Sequence, residues 1–222
     1  MVQALKRADI RAFVGATGSG KGIGIREHLA RDKPARLMVF DPMHEYADLA
    51  GVRVVQTVGQ VIAAMRGKKT FRVVWQPDDE TDYEGKPFKA QFALFCKTAF
   101  QVGDLWLLVE ELELVTRPSW APAAWRNCTK RGRHQGLVIL AATQRPADAD
   151  KAFWSSCTLI RCHALREAGD VDRMAKALKV PYEVIDKLVT TEDSPTQTTI
   201  TYYEKDFSGG VSGEKTIVKR RG

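Results

Sequence analysis

The residues with the clearest chemical potential lie in the run Gly15-Ala16-Thr17-Gly18-Ser19-Gly20-Lys21-Gly22. Glycines at 15 and 20 followed by Lys21 have the spacing of a phosphate-binding loop. Glycines let consecutive amides curl around phosphate oxygens, a following helix N-terminus adds a positive dipole, and the lysine reaches β- and γ-phosphates. The apolar run Ile10–Val14 directly before it supplies the strand that such a loop requires. One position departs from the pattern. Gly22 stands where a Ser or Thr hydroxyl ordinarily serves Mg²⁺. Either water fills the gap, or a nearby hydroxyl (Thr17 or Ser19) substitutes, or activity is weak.

A second half-site is Glu110-Glu111, immediately after the apolar run Leu105–Val109. Ligands of open α/β sheets bind at the carboxyl ends of strands, where this acidic pair falls. Adjacent strand residues point to opposite sides, so the pair is expected to divide its work. Glu110 would address the metal shell, its extra methylene relative to the usual Asp compensating for Gly22, and Glu111 the attacking water. Gln144 ends another apolar run, where a neutral amide can bond both a γ-phosphate and a water. The basic stretch Lys130-Arg131-Gly132-Arg133-His134 suits a helix C-terminus, and an arginine there could reach a neighbouring subunit's nucleotide.

The elements that must position these groups follow from pattern. Strands are predicted at Ile10–Val14, Leu37–Phe40, Val52–Val55, Phe71–Trp75, Leu105–Val109, Leu137–Ala141 and Leu159–Ala164. Helices are predicted at Val58–Met65, around Phe88–Phe100, and at 121–132, 148–156 and 168–178. Such alternation indicates βαβ units and a mostly parallel sheet with flanking helices. Thr198–Tyr203 and Lys215–Val218 instead read as a C-terminal β-hairpin, about 197–219, on the sheet edge. The 222 residues, 44 % hydrophobic and 27 % charged, suit a single domain spanning 1–222. The acidic loop 77–87 is the segment expected to be mobile.

A net charge of +7 permits a polyanionic partner without requiring one. Cys96, Cys128, Cys157 and Cys162 form no CxxC pair and read as buried free thiols of a reducing compartment. No apolar run approaches the length of a membrane span, and no export signal is evident.

Four motifs in order resemble the HerA/FtsK superfamily of P-loop ATPases, of the additional-strand catalytic-glutamate group. They are Gly15–Lys21, Val39-Phe-Asp-Pro-Met-His-Glu-Tyr46, Val109-Glu-Glu111, and Arg131–Gly136 leading to Ala142-Thr-Gln-Arg-Pro146. The resemblance implies a RecA-like P-loop fold, with Gly15 to Gly22 (Walker A) and Asp41 about ATP, and Glu110 (Walker B) on Mg²⁺. It makes Lys21 the phosphate-binding lysine, Glu111 the general base, Gln144 the sensor, and Arg133, or else Arg131, a finger given to the adjacent subunit. It further implies a homo-oligomeric ring, often a hexamer, moving double-stranded DNA. A nearly bare motor of this length is similar to the genome-packaging ATPases of tail-less, membrane-containing bacteriophages. A capsid or portal vertex partner and a place in the host-cell cytoplasm, or on the virion, would follow. Candidate DNA contacts are Lys68 with Lys69, Lys86 with Lys89, and Lys219-Arg-Arg221. Alternatives are a filamentous-phage assembly or secretion ATPase, a small-molecule nucleoside or nucleotide kinase, and an inert nucleotide-gated adaptor.

Overall fold

The computed structural model describes residues 8–78 and 80–220. Asp79 of the acidic loop and Arg221 of the basic tail therefore lie outside the described residues. In chain order the elements are β1 (Asp9–Val14), α1 (Lys21–Asp32), β2 (Arg36–Phe40), β3 (Arg53–Val55), α2 (Val58–Met65), β4 (Phe71–Trp75) and α3 (Lys86–Val102). There follow β5 (Trp106–Val109), α4 (Leu112–Val115), α5 (Ala123–Arg131), β6 (Val138–Thr143), α6 (Lys151–Trp154), β7 (Leu159–His163), α7 (Ala168–Leu178) and α8 (Tyr182–Asp186). The chain ends in β8 (Thr190–Ser194), β9 (Gln197–Asp206) and β10 (Gly213–Arg220).

The strands form one sheet in the order β10-β9-β7-β1-β6-β5-β2-β4-β3, with β8 also pairing β9. From β7 to β3 all neighbours are parallel, whereas β9 joins β7 antiparallel and carries the edge hairpin. This is the P-loop NTPase arrangement expected from the sequence. The order matters for the site because β6 is inserted between β1 and β5, and the loops ending all three strands emerge side by side.

The central strands are buried on both faces, which explains their unbroken apolar runs. One face packs α1 through Phe13, Ile25, Leu29, Leu37, Val39, Leu108 and Leu140. The other carries α2, α3, α5 and α7 over the larger core. There the aromatic face of α3 meets the sheet: Phe40 and Trp75 lie 5.1 Å apart, and Trp75 packs on Phe88 and Phe95. Each such fully buried side chain contributes roughly 1.5–3 kcal/mol. All four cysteines are buried and free.

Local chemistry sets the helix ends. Thr57 and Gln60 form a reciprocal capping box at α2. The helix predicted at 148–156 shortens to Lys151–Trp154 because Asp150 caps it, accepting from Ala152 N. Residues 190–194 pair as a strand although they are mostly exposed and polar, without the alternation that would announce them.

Candidate functional site

The loop after β1 turns at glycines that other residues could not replace. Gly20 has φ 96°, and a Cβ there would stand 2.9 Å from Ile200 Cδ1 on β9. At Gly15 a Cβ would lie 2.7 Å from His163 Cβ. His163 is a fully buried floor to the loop, its imidazole held neutral by burial and by Arg161 with a pKa lowered to about 3. The amides of Lys21 and Gly22, which also line the cleft, precede the first intrahelical bonds of α1, and a helix start of this kind can receive an anion. Gly15 to Gly22 thus form the tight turn that joins β1 to the start of α1.

Lys21 opens α1 and is buried. Its Nζ lies 3.5 Å from Glu110 Oε2 and 3.5 Å from Glu111 Oε1. Burial opposes the Lys21 charge, but Glu110, Glu111, Glu45 and Glu113 outweigh it and raise its pKa above the ordinary value. Burial in turn raises the Glu110 carboxyl, against the pull of Lys21 and Tyr46. An ammonium so placed can exchange carboxylates for phosphate oxygens with little movement of the backbone.

The acidic pair corrects one expectation. Glu110 and Glu111 do not diverge, because β5 ends at Val109 and Glu111 takes a left-handed conformation at φ 47°. A strand's alternation no longer applies, and both carboxylates converge on Lys21. Left-handed backbone is costly outside glycine, by roughly 1–2 kcal/mol, so the surrounding packing must hold Glu111 there.

Gln144 closes the third side. Its Nε2 donates to Glu111 Oε1 at 2.6 Å, and its Oε1 accepts from the Thr17 hydroxyl. This amide therefore links the phosphate loop to the acidic strand, a geometry possible only because β6 lies between β1 and β5. Ser19, by contrast, turns its buried hydroxyl beneath the loop, beside Gly15.

Glu113, absent from the expected set, is part of the same cluster. Its Oε1 accepts the amides of Gln144 at 3.0 Å and Arg145 at 3.2 Å. Burial, then the charge and hydrogen bond of Glu111, raise its pKa to about 7. The sequence pattern singles out only the pair Glu110-Glu111, because nothing in it announces α4, the four-residue helix that carries Glu113.

Asp41 stands one layer behind the cleft. It is fully buried, Oδ1 accepting from Glu45 N and Oδ2 from Tyr46 N and Gln76 Nε2, with every distance 2.8–2.9 Å. Asp41 thereby positions residues 45 and 46. Tyr46 in turn donates its hydroxyl to Glu110 Oε1, which gives the longer reach of Glu110 a partner inside the protein.

Arg133 is exposed in the 3₁₀ turn Gly132–Gln135, which precedes β6. Gln144 follows that strand, so the turn lies at the other edge of the sheet, about 20 Å away at ordinary strand rise. Neither Arg131 nor Arg133 can serve this chain's own cleft.

The loop, Arg26, Glu45, Gln144 and Lys219 line a cleft of about 340 Å³. Lys219 arrives from β10, whose hairpin is secured to β7 and α1 by Arg161. That guanidinium pairs with Glu204 at 2.7 Å and Glu27 at 2.8 Å, while Lys215 pairs with Glu204. The basic tail thus brings Lys219 to the cleft beside the glycine loop, a placement that sequence position could not reveal.

The sheet order and the glycine loop together give the chain a P-loop NTPase fold. Among individual proteins, the chain is 29 % identical to Protein P9 of Pseudoalteromonas phage PM2 over 179 residues, 79 % of this chain and 77 % of that protein. The solved genome packaging NTPase B204 of Sulfolobus turreted icosahedral virus 2, in complex with AMP, superposes with a TM-score of 0.63. It is 18 % identical, with 96 % of this chain and 97 % of that chain covered. VirB4 of Thermoanaerobacter pseudethanolicus superposes with a TM-score of 0.62 at 12 % identity, covering 99 % and 92 %. No protein-family model matches the chain. Among the described residues, no helix is long and apolar enough to cross a membrane.

Proposed function

We propose that this chain is an ATP-hydrolysing motor that drives double-stranded DNA into a viral capsid. The carrying observation is the contact of Gln144 Nε2 with Glu111 Oε1, 3.5 Å from the ammonium of the phosphate loop. A carboxylate oriented by a neutral amide at the phosphate end of the cleft is suited to accept a proton from attacking water. A kinase site would instead need to exclude water.

In this reading the loop amides and Lys21 bind the triphosphate, Lys21 leaving its two carboxylates for β- and γ-oxygens. Glu111 takes the proton of the attacking water, and Gln144 orients that water while sensing the γ-phosphate. The carboxylate oxygens about Lys21 suit a hard divalent cation, with Glu110 on the metal side. Bound Mg²⁺ would neutralise charge on the β- and γ-phosphates. Arg133 would act on a neighbouring subunit's nucleotide, because it cannot reach its own, and this calls for a ring. Similarity to a protein described as a genome packaging NTPase supports DNA as the cargo and a capsid or portal partner.

The test is ATP hydrolysis with and without duplex DNA, in wild type and Glu111→Gln. DNA-stimulated turnover is expected, lost by about 10²-fold or more in the variant while nucleotide binding survives. Phosphoryl transfer to a nucleoside, or full turnover in Glu111→Gln, would refute the reading.

A further inference from the structure

The residue after the loop lysine, Gly22, offers no hydroxyl, yet the space in front of it faces an oxygen. A Cβ added to Gly22 would find Glu45 Oε2 at 3.6 Å. Gly22 and Glu45 line the same cleft. The carboxylate of Glu45 therefore stands over the spot that a serine or threonine side chain would enter.

Its support is specific. Asp41 Oδ1 holds the Glu45 amide at 2.9 Å, and Arg26 donates to the Glu45 carbonyl. The next residue, Tyr46, reaches Glu110. Residues 45 and 46 thus bridge the start of α1 and the end of β5, the two sides between which a nucleotide-bound cation sits in P-loop proteins. The charge of Glu45 already helps raise the Lys21 pKa. Of the nearby hydroxyls, Thr17 donates to Gln144, and that of Ser19 is buried on the Gly15 side of the loop.

Resting on the nucleotide reading above, we propose that Glu45 supplies the protein oxygen that holds the divalent cation of the bound triphosphate, replacing the hydroxyl absent at Gly22. Mg²⁺ sites commonly combine one or two carboxylates with substrate phosphates and water. A carboxylate here has a consequence that a hydroxyl lacks. Without metal it repels the triphosphate, and with metal it binds, so the site favours the metal complex over free nucleotide.

The test titrates Mn²⁺ by electron paramagnetic resonance into the full chain with ATPγS, alongside ATPγS binding in EDTA. Glu45→Gln is expected to lower Mn²⁺ affinity about 10-fold or more, with metal-free ATPγS binding equal or tighter. Gly22→Ser introduced into Glu45→Gln should recover much of the loss, since the space accommodates a Cβ at ordinary contact distance. Unchanged Mn²⁺ affinity in Glu45→Gln overturns the proposal and leaves the nucleotide reading standing. An equal loss of metal-bound and metal-free binding also overturns it, marking Glu45 as merely structural. Absence of any ATPγS-dependent Mn²⁺ site in wild type removes the nucleotide reading itself.

Discussion

Glu113 offers a quantitative test of the acidic cluster. The folded protein raises this carboxyl from 4.5 to about 7, through burial first and then through Glu111. Between those values the folded state keeps a proton that the unfolded chain has lost, so stability falls as pH rises. A gap of about 2.5 units at 1.36 kcal/mol each is about 3 kcal/mol, fully present below pH 4.5 and lost above pH 7. Glu113→Gln keeps an oxygen for the amides of Gln144 and Arg145 and removes the charge. Urea unfolding of the nucleotide-free protein at pH 5, 6, 7 and 8 measures the effect. The variant should match wild type near pH 5 and exceed it by about 2–3 kcal/mol at pH 8. Comparing variant with wild type cancels titrating groups outside the acidic cluster, including buried His163 with its pKa lowered to about 3. A difference between the two proteins that stays constant with pH would refute the argument.

Three further outcomes follow from the geometry. Lys21→Met leaves Glu110 and Glu111 buried without their cation, a loss of about 3–5 kcal/mol that should lower Tm by about 10 °C in calorimetry; an unchanged Tm would contradict the pairing at 3.5 Å. Gly20→Ala must adopt φ 96° against Ile200 and should weaken ATPγS binding about tenfold or more in calorimetric titration, through distortion of the amide cradle. Lys219→Ala should raise KM for ATP by up to about tenfold with kcat little changed, the scale of one charged hydrogen bond; unchanged KM would mean that its place in the cleft is incidental.

The sequence by itself determined the strands buried on both faces, the glycine loop and the acids at the end of β5. These depend on local rules: unbroken apolar runs, glycine backbone freedom and the polarity change at a strand terminus. Motif order also singled out Gln144, but not its bond to Glu111, which exists because β6 inserts between strands distant in the chain. Only the tertiary structure could decide that Glu110 and Glu111 converge, since a single left-handed residue cancels the alternation on which their divergence was predicted. The same holds for Asp41, whose oxygens are consumed by backbone amides four and five residues on, and for Glu113, turned inward by a helix of four residues. Lys219 shows the limit most plainly. It follows the loop lysine by 198 positions and reaches the same cleft only through antiparallel pairing and the ion pairs of Arg161. Spacing along a chain encodes what neighbours can do, whereas convergence of remote side chains depends on sheet order and on where each strand ends.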